Sequence, residues 1–192
     1  SVIPALNYTI CHMCEFFFGI SPIIVGPGVK TGLNIKADNP REVGADIIVN
    51  SVSAYNKYGG PIVVIDFGTA TTFDVVSSKC ELIGVVIAPG IKTSLEGLAT
   101  KTAQLPMVEL DAPKTVIGKN TKHCMQAGVI FGFAGLVANI LKKIKLELGV
   151  KQIKVVATGG LGEIIAKEVT DISVVDRTLT LDGLKTIYNL NK

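Results

Sequence analysis

Ile62-Val63-Val64-Ile65-Asp66-Phe67-Gly68-Thr69-Ala70-Thr71-Thr72-Phe73-Asp74-Val75-Val76 decides how this chain reads. Four consecutive apolar residues imply a buried strand, Gly68 marks a tight turn, and a second β-branched run follows. The stretch therefore predicts two antiparallel strands with a carboxylate, Asp66, at the end of the first. Successive turn N–H groups form a concavity suited to phosphate oxygens, and a carboxylate suits a hard cation that bridges to them. The same residues also suit an ordinary hairpin with a Thr-rich turn.

Working outward, Ser77-Ser78-Lys79 predicts a second turn and a third strand over 81–88. Ala88-Pro89-Gly90 opens a helix to about Lys101, and Pro106, Pro113 and Gly118 make 102–120 irregular. A long helix is expected over 121–148 with Thr121 as its N-cap. A strand over 151–157 leads to Gly159-Gly160 and a helix over 161–169; a strand over 172–175 and a helix over 180–190 follow. Towards the N-terminus the pattern predicts a helix over 5–17, a strand from Pro22 to Gly26 and a rigid loop from Gly26 to Gly32. Asn39-Pro40-Arg41-Glu42 reads as a helix start that continues to Lys57.

Composition narrows the classes. The 192 residues suit one large domain or two small ones. With 48% hydrophobic and 18% charged residues a large core is expected, and apolar surface left over would favour an oligomer. A net charge of +3 without a basic block, and no Trp, argue against a nucleic-acid surface. No membrane segment is expected: the longest apolar run, Ala127 to Ala138, falls short of the ~20 residues of a membrane span. Its Gly128, Gly132 and Gly135 are expected to serve close packing of a buried helix. No basic and apolar leader stands at the N-terminus, so a cytoplasmic location is expected. Cys11-His12-Met13-Cys14 and His123-Cys124 lack the paired spacing of a zinc module and read as incidental thiols.

Other local signals carry chemistry. Asp46 follows Gly44-Ala45 and precedes Ile47-Ile48-Val49, so it is either a desolvated base or an exposed residue of an amphipathic helix. Gly159-Gly160 after a strand lets a ligand approach the backbone. Ile117-Gly118-Lys119-Asn120-Thr121 is a helix cap or a substrate contact. Neither a P-loop nor a Ser-His-Asp or Cys-His set is present.

From residue 61 the predicted order is three hairpin strands, two helices, strand, helix, strand, helix. That order resembles one complete half of the ribonuclease-H-like α/β fold of the actin, hexokinase and acetate kinase superfamily, preceded by the tail of another. The halves would be residues 1–58 and 59–192. Five co-linear stretches carry a closer resemblance: GPGVKTGLNIKADNPREVGAD (26–46), GGPIVVIDFGTATTFDVV (59–76), IAPGIKTSLEGLATKTAQLPMVEL (87–110), IGKNTKHCMQAG (117–128) and VVATGGLGEIIA (155–166). Together they are similar to type III pantothenate kinase, some members of which carry the name Bvg accessory factor-like.

The resemblance implies phosphorylation of pantothenate by Mg²⁺-ATP, the first step towards coenzyme A, in a cytoplasmic homodimer. By position it makes Asp46 the general base and assigns Gly44, Ala45, Asp46, Ile47 and Thr121 to pantothenate. Gly68, Thr69, Gly159 and Gly160 would face ATP, and Asp66 would hold a monovalent cation, K⁺ or NH₄⁺. It also implies an Asp-x-Gly-Asn-Thr phosphate turn ahead of Ser1, which does not occur among the 192 residues. Ile47 stands where the family usually has Arg, and Ala37 where it often has Tyr. Those two positions favour an alternative: a non-catalytic homologue, or one of altered specificity, acting as a binding or regulatory protein.

Overall fold

The computed structural model describes residues 4–192. Its centre is one mixed six-stranded sheet in the order β1-β4-β3-β2-β5-β6. The strands are β1 (Asn34–Ile35), β2 (Ile62–Phe67), β3 (Ala70–Val76), β4 (Glu81–Pro89), β5 (Lys154–Gly159) and β6 (Val174–Val175). β2, β3 and β4 form the antiparallel meander that the opening stretch predicts, with Asp66 opposite Thr72 and Val64 opposite Asp74. β5 runs parallel to β2 on its other side, with Asp66 level with Thr158 and Phe67 level with Gly159. β6 extends the sheet parallel to β5, and β1 closes the far edge parallel to β4.

Both faces of the sheet are covered at β2, which explains why Ile62-Val63-Val64-Ile65 is apolar at every position rather than at alternate ones. One face carries Val63, Ile65, Phe73, Val75, Val155 and Ala157. It packs against α3 (Ile91–Lys101), α4 (Thr121–Glu147) and α5 (Gly162–Ala166). The other carries Ile62, Val64, Val76 and Val156 under α2 (Ala45–Tyr58) and α6 (Leu179–Leu190). Each fully buried Val or Ile contributes about 1.5–3 kcal/mol of burial free energy. α4 is long and apolar enough by length and composition to cross a membrane, but its Val137 and Leu141 are buried in the first of these cores.

Several local expectations shift. No strand forms at 22–26; the short edge strand is Asn34–Ile35 instead. The helix expected from Asn39 breaks in two. Asn39 caps a single 3₁₀ turn over Pro40–Glu42, then Val43 is extended and the α-helix begins after Gly44. The cap of α4 is Asn120, whose side chain accepts the His123 N–H at 2.9 Å, so Thr121 is the first helical residue and not the cap. Gly128, Gly132 and Gly135 are exposed with open space where a Cβ would stand, so they do not serve close packing within the described chain. α1 (Pro4–Phe18) forms as expected and leaves Phe16, Phe17 and Phe18 exposed.

Candidate active site

Two turns meet at the C-terminal ends of the parallel pair β2 and β5. Chain order reverses across this pair, since the meander fills one side and β5 and β6 the other. Such a switch point is where open α/β sheets bind ligands. Phe67, Gly68 and Thr69 from the first turn and Gly160 and Leu161 from the second line a cleft of about 350 Å³. Lys92, Thr93 and Glu96 of α3 form its third wall. The start of α3 is pressed onto the first turn: the Thr93 hydroxyl donates to the Thr69 carbonyl at 2.8 Å. A Cβ on Gly90, the N-cap of α3, would overlap that same carbonyl oxygen.

Asp66 immediately precedes the cleft residue Phe67, on the α2 side of the sheet, and is half-buried. Its Oδ2 accepts the Asn50 amide N–H at 2.9 Å. Its Oδ1 faces the second turn, where a Cβ on Gly159 would lie 2.8 Å from it and 2.7 Å from the Phe67 carbonyl oxygen. Gly159 has φ +89°, a conformation few other residues adopt. Thus the glycine makes room both for the carboxylate and for the close passage of two chain segments. Burial raises the Asp66 pKa, the negative charge of Asp46 raises it further, and the Asn50 hydrogen bond opposes both.

Asp46 lies in the first turn of α2, where its Oδ1 accepts the Ile47 N–H at 3.0 Å. A Cβ on Gly44 would collide with that oxygen, which accounts for the small residue two positions before it. Asp46 and Ala45 open onto a cavity of about 260 Å³ walled by Ile10, Cys11, Ile23, Val25 and Leu184, with the Thr180 side of α6 at its rim. Asp46 is half-buried there.

Asp74 lies two residues along β3 from Thr72, fully buried on the α2 side. Neither of its carboxyl oxygens has a hydrogen-bond partner. Burial pushes its pKa well above the ordinary value, and the charges of Asp66 and Asp46 add to this. The nearby Thr72 hydroxyl offsets part of the shift without reaching normal hydrogen-bond geometry.

The expected residues therefore fall into two groups. Gly68, Thr69 and Gly160 line the cleft, with Asp66 and Gly159 each adjoining a cleft residue in the chain, and Ala45 and Asp46 line the cavity beside α2, with Gly44 preceding them outside its wall. Ile47 is buried in the core beneath α2 and Thr121 begins α4 on the opposite face of the sheet, so neither lines the Asp46 cavity. Sequence reasoning missed Asn50, Thr180, Lys92 and Thr93. Asn50 and Thr180 lie 130 positions apart, and no local pattern joins them. Lys92 had a usable signal, being a cation in the first turn of the helix that follows the third strand.

Among the described residues no three His, Cys, Asp or Glu side chains converge on one point. A cation at Asp66 would have one hard oxygen, Oδ1, from this group and would take its other ligands from backbone carbonyls, phosphate or water. That donor set fits a monovalent ion or a partly hydrated Mg²⁺.

The chain is similar to proteins of one family. The profile of the family described as type III pantothenate kinase matches residues 1–143. A type III pantothenate kinase from Moorella thermoacetica is 51% identical over 191 residues, which is 100% of this chain and 75% of that protein. A Campylobacter jejuni crystal structure described as a Baf family transcriptional activator has 25% identity and a TM-score of 0.50, covering 79% of this chain and 66% of that one. An activator of 2-hydroxyisocaproyl-CoA dehydratase from Clostridium difficile, with bound ADPNP, has 12% identity and a TM-score of 0.42, covering 81% of this chain and 70% of that one; it is too distant to bear on function. The extent of the family match and the identity to the Moorella enzyme establish that this chain belongs to the type III pantothenate kinase family.

Proposed function

We propose that the Asp46 carboxylate is the general base of a phosphoryl transfer whose nucleotide lies in the cleft between the Gly68-Thr69 and Gly159-Gly160 turns. The family reaction is ATP-dependent phosphorylation of pantothenate to 4′-phosphopantothenate, the first step of coenzyme A biosynthesis. Asp46 takes the proton of the primary hydroxyl as that oxygen bonds to the γ-phosphorus. The bond from the γ-phosphorus to the β–γ bridging oxygen breaks, and ADP leaves. Positioning and electrostatics supply most of such catalysis. Here Gly68 and Thr69 of the first turn line the cleft proposed for the phosphates, and Lys92 offers a positive charge on the same cleft. Mg²⁺ on the phosphates and a monovalent cation at Asp66 would neutralise further charge. The Asp46 cavity suits the mostly aliphatic pantothenate chain, with Ala45 in its wall and with Gly44, Ile47 and Thr121 assigned by family position alone.

The single observation that carries this reading is the meeting of the Gly68-Thr69 and Gly160-Leu161 turns in one cleft at the ends of β2 and β5, with Asp46 lining a cavity on the α2 side of the same sheet. A base and a phosphate-site carboxylate must share one site for the hydroxyl to reach the γ-phosphorus. We further propose a ribonuclease-H-like fold divided near Gly59, supported by the meander followed by parallel β5 and β6. A homodimer, supported by the apolar surface of α1, belongs to the same reading. Pantothenate-dependent ADP release, lost in Asp46→Asn, tests the chemistry; light scattering tests the dimer.

A second reading, a homologue of altered specificity or a binding protein, is favoured by Ile47. It packs into the core at 8% exposure and presents no charge to a substrate carboxylate. A thermal-shift panel of small carboxylic acids and amides separates the two readings. A ligand at 100-fold its Kd stabilises by about 2.7 kcal/mol, and pantothenate failing where another acid succeeds favours the second reading.

A further inference from the structure

We infer that Asn50 and Thr180 are positioning residues of the transfer reaction: a two-step hydrogen-bond relay by which the C-terminal helix α6 sets the orientation of Asp66. The Thr180 hydroxyl donates to the Asn50 Oδ1 at 2.7 Å, and the Asn50 Nδ2 donates to the Asp66 Oδ2 at 2.9 Å. These bonds orient the amide. Its carbonyl can only accept and its NH₂ can only donate, so the acceptor-only Asp66 carboxylate takes the N–H, and the Thr180 hydroxyl, able to donate or accept, gives its proton to the Oδ1 and holds the amide in place. Asn50 is 1% exposed, which removes water as a competing partner. With Oδ2 held by the amide, Oδ1 is left facing the Gly68 and Gly159 turns, where phosphate and cation are proposed to sit.

The relay is held by the close packing of α2 against α6. A Cβ on Gly183 would overlap the Val49 carbonyl oxygen and lie 2.7 Å from the Val49 side chain. Gly183 is one turn on from Thr180, and Val49 precedes Asn50, so this contact sets the distance across which the Thr180 hydroxyl reaches. A second tie joins the same two helices, where Lys57 of α2 bridges Asp176 at 2.8 Å and Asp182 of α6 at 2.5 Å. Thr180 also borders the Asp46 cavity. One hydroxyl therefore touches both the substrate side and, through Asn50, the phosphate side.

The inference rests on the kinase reading for its catalytic consequence, and its geometry stands apart from it. Both are tested with Thr180→Val, which keeps the shape and removes the hydroxyl, and with Thr180→Ser, which keeps the hydroxyl. The protein is expressed from its complete gene and assayed with ATP, Mg²⁺, K⁺ and pantothenate. Thr180→Val is expected to lower kcat roughly 3- to 10-fold, the scale of one buried neutral hydrogen bond, with KM for pantothenate within about twofold of wild type and Thr180→Ser restoring the rate. Independently of turnover, the Asn50 side-chain amide resonance, assigned by its loss in Asn50→Ala, is expected to move in Thr180→Val and stay in Thr180→Ser. An inactive wild type with that amide response would sink the kinase reading and leave the relay standing. An unmoved resonance, or, in an active wild-type background, a Thr180→Val variant with unchanged kcat, overturns the relay.

Discussion

Gly90 is packed so closely on Thr69 that a Cβ at position 90 would overlap the Thr69 carbonyl oxygen and lie 2.6 Å from the Gly68 carbonyl oxygen. The first turn of α3 thus buttresses the phosphate turn from behind. Replacing Gly90 with Ala forces backbone against backbone, which costs about 1–3 kcal/mol as overpacking. The expected outcome is a lower thermal midpoint and a KM for ATP raised at least severalfold. Gly97, on the same helix, has open space at its Cβ position, so Gly97→Ala is expected to stabilise by about 0.5–1 kcal/mol without affecting ATP. Thermal unfolding and ATP titration of the two variants read this contrast.

Asp74 predicts an unusual pH dependence. Its folded pKa is raised, so between its ordinary value and its folded value the native state holds a proton that the unfolded chain has released. Stability from this group is then present at low pH and is lost as pH rises through that window. The slope is about 1.4 kcal/mol per pH unit while the native carboxyl remains protonated. Asp74→Asn is near-isosteric and cannot titrate. Denaturant unfolding at pH 5 and pH 8 is expected to show the variant gaining on wild type as pH rises; parallel curves would refute this.

Asp176 predicts the opposite sign. Burial alone would raise its pKa, but hydrogen bonds from Lys57, Tyr58 and Thr178 outweigh burial and lower it. Stability from this group is present above the unfolded pKa and is lost as pH falls through the folded one. Lys57→Met removes one of its donors across a partly exposed pair and is expected to cost about 1 kcal/mol at low salt, less at high salt. Tyr58→Phe is expected to cost about 1 kcal/mol irrespective of salt, since it removes one neutral donor at 2.8 Å. Urea unfolding at two ionic strengths distinguishes the two variants.

Much of the sheet was legible because its signals are local. An apolar run ending in Asp66-Phe67-Gly68 encodes strand and turn within seven residues, and Ser77-Ser78-Lys79 encodes the next reversal. The long apolar run of α4 was equally plain. What escaped depends on contacts distant in sequence. β1 forms at Asn34–Ile35 because that segment meets β4 at Glu81 and Leu82. Asn39-Pro40-Arg41-Glu42 has every mark of an α-helix start, yet Val43 is extended and the helix restarts after Gly44, where Asp46 needs the room. In the site, Asp46, Asp66 and the paired glycines stood out as residue types in suggestive places. Asn50 reads as one more polar residue of an amphipathic helix until α6 brings Thr180 to it.

In the proposed reaction Asp46 serves a transfer from ATP in the cleft beside Asp66, and pantothenate-dependent ADP release tests this most directly. The protein expressed from its complete gene is compared with Asp46→Asn, with folding checked by thermal unfolding. The expected result is turnover that needs pantothenate and Mg²⁺-ATP and falls roughly 10²- to 10⁴-fold in the variant, the usual scale of a general base, at nearly unchanged stability. A folded Asp46→Asn variant that turns over at the wild-type rate, or a wild type that releases ADP without regard to pantothenate, would contradict it.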